Sequence, residues 1–526
     1  MAVTTQNLAS TAVRGIQWTT AATVLTAVMQ IGYTAVMARL LDPAAFGLVA
    51  MAGVVLRFGS YFAEMGLGHA LVQRAEIDSQ DIRATFTASL GLGLAVAAIA
   101  WLAAPIAMFF LKNETIVSLV RVQALGFVLV GLGATAINLL RREMRFEAIA
   151  KVEVSAYVLG YGGVGITLAW LGAGVWSLVV ASLVQQFFTA ILSYAVVRHS
   201  LRFTFQRTPY ARLLGYGGWV SMVGFLEFIN GNLDTLLIGR LLGSVLLGIY
   251  NRAYMLLYLP VYFLTNSLAR VAFPAFSKIQ NDLPRVQALY LTSSTLVATL
   301  VLPLCAGVAV AAPELVQVLL GPHWAASVPI LRVLCLSIPL SMTTLFAGVV
   351  ADARANLKQK IILNLEFMIL LATLFWLFKG YGLAGIAAAI GTGEIIRTLL
   401  YMRITHRNIN ISYSRLFAIY GPGVLNATVV GIGLLAVAAL VRPLHAPPLL
   451  ALLALMAAGA VVLSAVILRW PSAELQLVLS QGLHRLRGLP ILPTQVHPGL
   501  ARYAAFLERR STTTPVFTAF DQPLVS

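Results

Sequence analysis

The chain has 526 residues and a net charge of +17, from 36 Lys and Arg against 19 Asp and Glu, yet 59% of it is hydrophobic and only 10% charged, with a mean hydropathy of +0.87. Charged residues make up about a quarter of a soluble globular chain, so these figures exclude one and describe an integral membrane protein. A transmembrane barrel is excluded as well, because its strands are ~10 residues long and alternate polar with apolar, and the apolar runs here do neither.

A bilayer core of roughly 30 Å takes about 20 apolar helical residues per crossing. On that measure the chain divides into fourteen spans, at about 15–38, 45–68, 85–110, 115–139, 149–171, 174–197, 214–239, 245–269, 287–311, 328–350, 359–378, 382–402, 417–440 and 448–468. The first run has no basic residue ahead of it in Met1 to Ser10 and is too long for the core of a cleaved signal, so it is expected to remain as a span.

Charge orients the array. Alternate loops hold Arg74 and Arg83; Arg141, Arg142, Arg145 and Lys151; Arg198, Arg202, Arg207 and Arg212; Arg270, Lys278 and Arg285; Arg354, Lys358 and Lys360; and Arg403, Arg407 and Arg415. The loops between them hold only Arg39, Lys112, Arg240, Lys379 and Arg442. Loops rich in Lys and Arg stay in the cytoplasm, which predicts that both termini are cytoplasmic. Basic residues confined to short loops, instead of one polar face, also argue against nucleic acid as a partner.

The chain is a duplication. A shift of 201 positions lays Trp18 on Trp219, Thr34 on Thr235, Arg39-Leu40-Leu41 on Arg240-Leu241-Leu242, Gly47 on Gly248, and Tyr61-Phe62 on Tyr262-Phe263, without a gap. Each copy reads as a helical hairpin with an arginine at its turn. Six spans precede the second copy, so both copies start from the same side and a pseudo-two-fold along the membrane normal is expected, the arrangement in which transporters place substrate between halves. The expected fold is an all-α polytopic membrane protein of about fourteen transmembrane helices: lobes at 1–200 and 201–410, two further helices within 411–470, and a cytoplasmic tail at 471–526. The two further helices, outside the duplication, suit either a groove for a lipid tail or packing alone. In the tail, Leu475, Leu479, Leu483 and Leu486 share one helical face beside His484, Arg485 and Arg487, a pattern of an interfacial helix or of a loosely ordered segment.

No Walker A loop, metal-spaced Cys or His cluster or soluble catalytic insertion occurs in the sequence, and Cys305 and Cys335 fall inside apolar runs as buried thiols. The chain is therefore not expected to be an enzyme, and candidate function falls to ionisable residues inside spans, which are costly there. Arg57 lies midway along the second span and Arg252 in the eighth; paired guanidinium forks suit a diphosphate. The alternative is that each bonds helix carbonyls or an acid, such as Glu64 for Arg57. Arg39 and Arg240 end the first arms, as anchors or as the rim of a cavity. Glu227, Asn230 and Asp234 form a stripe on span seven, Glu366 follows Asn364 on span eleven, and Glu394 lies one turn from Arg397 on span twelve. Depth counting puts Glu227, Glu366 and Glu394 level, as carboxylates for a coupling Na⁺ or H⁺ or as partners across helices. Tyr61, Phe62, Tyr262, Phe263 and Trp324 offer faces for sugars or for packing.

The wording of several segments resembles a known family. Met37-Ala38-Arg39-Leu40-Leu41-Asp42-Pro43-Ala44-Ala45-Phe46-Gly47-Leu48, Gly66-Leu67-Gly68-His69-Ala70-Leu71-Val72-Gln73, Arg142-Glu143-Met144-Arg145-Phe146 and Tyr250-Asn251-Arg252-Ala253-Tyr254 resemble the Wzx-type lipid-linked oligosaccharide flippases of the MATE/MOP-type superfamily, colanic-acid and xanthan exporters above all, over roughly residues 10–470. The resemblance implies a V-shaped pair of lobes in a bacterial inner membrane, opening alternately inward and outward. It implies an undecaprenyl-diphosphate-linked repeat unit as cargo for exopolysaccharide, capsule or O-antigen synthesis, with membrane lipid, a polysaccharide polymerase and a chain-length regulator as partners. In related lipid II flippases, arginines on spans two and eight line the cavity, the helices of Arg57 and Arg252, and a sodium site lies among spans seven, eleven and twelve. The acids here do not reproduce that site's pattern. Two other readings stay open, a MATE-like cation or drug antiporter and a non-transporting scaffold of the assembly complex.

Overall fold

A computed structural model describes residues 5–63, 71, 77–204, 218–279, 281–353 and 357–469, and every regular element among them is helical. The order is α1 (Thr5–Leu40), α2 (Pro43–Ala63), α3 (Ser79–Leu111), α4 (Thr115–Arg142), α5 (Phe146–Tyr157), a π-helical segment (Val158–Gly165), α6 (Ile166–Trp170) and α7 (Val175–Val197). There follow α8 (Gly218–Lys278), α9 (Leu283–Val310), α10 (Ala312–Leu319), α11 (Ser327–Ala353), α12 (Leu357–Phe378), α13 (Gly382–Ile409), α14 (Tyr413–Ala418), α15 (Gly421–Val441) and α16 (Pro448–Arg469). Helices predominate because lipid offers backbone groups no partner, so each segment must satisfy its own.

Among the described residues, eleven stretches are long and apolar enough to cross a membrane, and Pro43–Gly59 is a shorter apolar helix. Three of the eleven contain a break, one of them Tyr413–Leu444 at the turn of residues 419–420. Leu226–Tyr258 runs through Gly243, whose φ of 87° lies where a side chain would be strained, and Gln359–Ile409 runs through the short 3₁₀ turn Lys379–Tyr381. Gly243 thus makes α8 a hairpin of two arms, as the duplication predicts from the hairpin of α1 and α2. The tail, with its leucine face at Leu475, Leu479, Leu483 and Leu486, lies outside the described residues.

Helix ends follow local chemistry. At the start of α3 the Asp78 carboxylate accepts from the Asp81 amide at 2.6 Å and Asp81 accepts from the Asp78 amide at 3.3 Å, a reciprocal cap that satisfies two orphan donors. Asp282 caps α9 through the Arg285 amide at 3.2 Å.

The chain forms two compact units. The first comprises Met1–Arg252, Leu319–Ser327 and Phe375–Ile386; the second comprises Ala253–Val318, Val328–Leu374 and Ala387–Ser526. Within the first, a β-carbon on Gly47 would stand 1.8 Å from the carbonyl oxygen of Ser244, and one on Gly248 1.8 Å from that of Pro43. The 201-residue shift carries Pro43 to Ser244 and Gly47 to Gly248, so the contact is reciprocal, as a two-fold requires. Within the second unit α15 packs on α9, with Gly423 against the Ala298 carbonyl, and Val430, Leu434 and Ala438 join Leu452 and Leu455 of α16 in one buried apolar cluster. The outer faces of these last two helices, including Ile432, Leu440, Met456 and Val461, are exposed and apolar, as lipid contact demands.

Candidate functional site

Arg57 projects from α2 toward the first arm of α8. Its Nε and one terminal nitrogen both donate to Oδ1 of Asn232, at 3.1 and 2.9 Å, while the Asn232 amide nitrogen donates to the Phe228 carbonyl at 2.8 Å and so fixes the oxygen toward the guanidinium. Glu64, the acid expected beside Arg57, lies outside the described residues. A neutral amide is a weaker acceptor for a guanidinium than a charged oxyanion, and the charge of a nearby carboxylate, Asp234, also acts on Arg57. Two residues along, Asp234 accepts from the Tyr250 hydroxyl of the second arm and from the Thr235 amide at 2.7 Å. This bond ties the two arms of the hairpin together below Gly243.

Arg252 is the second cation. Its guanidinium carbon lies 4.5 Å from the centre of the Phe46 ring, a cation–π distance, one terminal nitrogen donates to Asn251 Oδ1 at 2.8 Å, and its Nε is buried without a partner. A buried, unmet donor costs about 1–3 kcal/mol, and an arriving oxyanion would remove that cost. Phe46 in turn meets Trp324 edge to face, with ring centres 5.4 Å apart. Trp324 is fully buried and donates from Nε1 to the Ala38 carbonyl at 2.8 Å, the oxygen that also lies 2.8 Å from His323 Nε2. Trp324 therefore packs beneath the site and presents no face to a sugar.

Arg39 donates to the Ala35 carbonyl of its own helix at 3.0 Å, and Arg240 to the Phe109 carbonyl near the end of α3 at 3.0 Å. Each guanidinium thus meets a backbone carbonyl of a helix, which leaves both the anchoring and the rim alternatives open. The side chains of Tyr61, Phe62, Tyr262 and Phe263 lie outside the described residues.

The acids divide between the units. Glu227, exposed, and Asp234 belong to the first; Glu366, exposed, and Glu394 belong to the second. Glu394 accepts from Arg397 at 3.0 Å, both side chains being largely buried, and the Arg397 guanidinium lies 5.0 Å from the Phe367 ring centre. Among the described residues no three His, Cys, Asp or Glu side chains converge as a metal ion would require.

Sequence reasoning passed over Asn232, gave Tyr250 no role beyond its place in a family-like segment, and passed over a tyrosine group in the first unit, with ring centres 4.9 Å apart for Tyr33 and Tyr161 and 4.8 Å for Tyr157 and Tyr161. A signal was present. Gly160-Tyr161-Gly162-Gly163 is a glycine-rich break inside an apolar span, where the helix widens to π-helical turns, a frequent mark of functional sites.

Residues 36–329 match the model of a family described as polysaccharide biosynthesis protein. The chain is 28% identical over 337 residues to the lipopolysaccharide biosynthesis protein WzxC of Escherichia coli, covering 61% of this chain and 66% of that one. It is 25% identical over 324 residues to the teichuronic acid biosynthesis protein TuaB of Bacillus subtilis, covering 61% and 67%. The match thus spans about two thirds of each relative. Among solved structures, the lipid II flippase MurJ in an inward closed conformation superposes with a TM-score of 0.64 at 13% identity, over 86% of this chain and 99% of that one. At such identity the likeness is one of fold, that of a polytopic all-α membrane protein.

Proposed function

Because the chain belongs to the polysaccharide biosynthesis protein family, we propose that it is a flippase moving undecaprenyl-diphosphate-linked oligosaccharide repeat units across the membrane by alternating access. The observation that carries this reading is the pair Arg57 and Arg252. Both lie within apolar helices of one unit, and each guanidinium hydrogen-bonds a side-chain amide, Arg57 that of Asn232 and Arg252 that of Asn251, with the Arg252 Nε buried and unmet. Such guanidiniums are poised for a diphosphate, whose oxygens satisfy two forks at once. The relatives named for polysaccharide biosynthesis support the same cargo class.

The finer features of the reading are fourteen spans, lobes divided near residue 200, cytoplasmic termini, an inner-membrane location and a downstream polymerase and chain-length regulator as partners. Arg39 and Arg240 serve as rim anchors that guide the head group, and Tyr61 and Tyr262 are its aromatic contacts. Coupling to Na⁺ or H⁺ runs through Glu227, Asp234, Glu366 and Glu394. Of these, Glu394 offers the plainest switch, because a proton or cation on its carboxylate competes with Arg397 and so favours a different packing of α13.

Deletion of the gene tests the function. Accumulated lipid-linked repeat units and lost polymer support the flippase; unchanged polymer with altered drug efflux supports an antiporter instead. Polymer of altered length with normal translocation in vesicles supports a scaffold.

A further inference from the structure

Inside the first unit, five helical segments line an open cavity of about 450 Å³ that contains neither Arg57 nor Arg252. Its wall is drawn from α1, α3, α4, α5 and α7. A volume of that size lies in the range of small-molecule pockets.

The lining is unusual for the interior of a membrane bundle. Asn138 and Arg141 come from α4, Glu153 and Tyr157 from α5, and Gln185 and Gln186 from α7. Polar groups in such helices are costly unless matched, and here one is not matched. The buried Gln186 Oε1 has no hydrogen-bond partner. Asn138 spends its amide nitrogen on the Ala134 carbonyl at 2.8 Å. Arg141 and Glu153 both line the cavity, and the charge of Arg141 acts on the Glu153 carboxyl. Glycines keep the walls thin, since a β-carbon on Gly131 would stand 2.6 Å from the Ser89 carbonyl, so helices pack backbone to backbone around an unfilled space.

The charge balance selects the ligand. One guanidinium and one carboxylate leave the cavity neutral, which disfavours a diphosphate because of Glu153 and an organic cation because of Arg141. What remains is a set of amide and carboxylate acceptors, amide and guanidinium donors and the ring of Tyr157, a combination that matches the dense hydroxyls and the apolar ring face of a neutral sugar.

We infer that this cavity is a saccharide subsite, which takes a neutral sugar unit of the oligosaccharide while the diphosphate is held elsewhere by Arg57 and Arg252. The inference rests on the flippase reading for its cargo but on a separate set of residues for its chemistry. It divides recognition in two: the arginines read the lipid diphosphate common to all such cargo, and the cavity reads the glycan.

The test uses the full-length protein in lipid nanodiscs. Saturation-transfer NMR is recorded with cellobiose, lactose and maltose, and calorimetry with inorganic pyrophosphate. At least one disaccharide is expected to bind, and Gln186→Leu, Gln185→Leu and Ala134→Phe, the last filling the cavity, are each expected to raise its half-saturating concentration roughly tenfold or more, the loss of one buried hydrogen bond or of the space itself. Melting curves identify which of the three remain folded. Arg57→Ala and Arg252→Ala should leave the sugar titration unchanged and abolish the pyrophosphate heat. If no disaccharide transfers saturation, or if every folded cavity variant titrates like the parent, the subsite is overturned. If instead sugar binding follows the cavity variants while pyrophosphate binds both arginine variants normally, the diphosphate assignment fails and the subsite stands.

Discussion

Replacing Gly47 with alanine puts a methyl carbon 1.8 Å from the Ser244 carbonyl oxygen, where real β-carbons keep at least 3.0 Å, so the two backbones must separate by about 1.2 Å. The neighbour is main chain and cannot rotate away. Alanine gains about 0.5–1 kcal/mol over glycine within a helix, whereas forcing packed elements apart costs about 1–3 kcal/mol or more, so the net effect is destabilising. Gly248→Ala makes the equivalent intrusion on Pro43, also at 1.8 Å, and the reciprocal geometry predicts a similar loss. Gly32→Ala and Gly231→Ala are the controls, because nothing stands within 4 Å of either β-carbon. With about 2–4 °C per kcal/mol for units of 150–250 residues, thermal unfolding of the purified protein should fall by a few to about 10 °C for the first pair and stay level or rise for the second. The double variant should cost less than the sum of the singles, since one separation relieves both clashes. Unchanged melting for Gly47→Ala and Gly248→Ala would refute the close crossing and the reciprocal contact with it.

Four further outcomes are expected. Arg57→Ala and Arg252→Ala abolish polymer export at near-normal protein levels and Lys restores part of it, keeping charge but losing the fork; normal export by both Ala variants in a polymer assay removes them as phosphate contacts. Asn232→Asp gives Arg57 a charged partner that a diphosphate must displace, so export falls while thermal stability holds or rises; undiminished export would mean that Arg57 does not need to be released. Removing Arg397 alone leaves Glu394 as a largely buried charge and costs about 3–5 kcal/mol, more than Glu394→Gln with Arg397→Met together, and a double-mutant cycle on melting curves measures the difference. The fourth concerns pH. Burial alone would push the Glu314 carboxyl up, but hydrogen bonds from Arg442 at 2.8 and 3.2 Å and the charges of Arg442 and Arg332 hold it below the usual Glu range. Its stabilising contribution is thus complete above the unfolded value of ~4.3 and is lost as pH falls through the lowered folded value; Glu314→Gln should flatten the acid limb of a stability–pH curve, and an unaltered limb would exclude the pair as its source.

The sequence by itself determined the all-α membrane fold, the hairpin repeat and the family, because each rests on a feature that is local or periodic. Apolar runs of a bilayer's length leave the backbone no choice but helix, and a 201-residue shift that aligns Trp18, Arg39 and Gly47 with Trp219, Arg240 and Gly248 needs no coordinates. The same local logic located Arg57 and Arg252 as costly charges within spans. It could not say what those charges touch. That Arg57 meets Asn232 across 175 positions of chain, that Arg252 lies on Phe46, that Asp234 closes on Tyr250 and that Glu394 pairs with Arg397 depend on helix rotation and on which helices are neighbours. Rotation leaves little trace where lipid-facing and buried surfaces are equally apolar, which is why the stripe Glu227, Asn230, Asp234 was legible as a face while Asn232, between two of its members, was not. The cavity lined by Asn138, Glu153 and Gln186 was hidden for the same reason: each is a single polar residue in a separate apolar run, and only tertiary packing brings the runs together around one space.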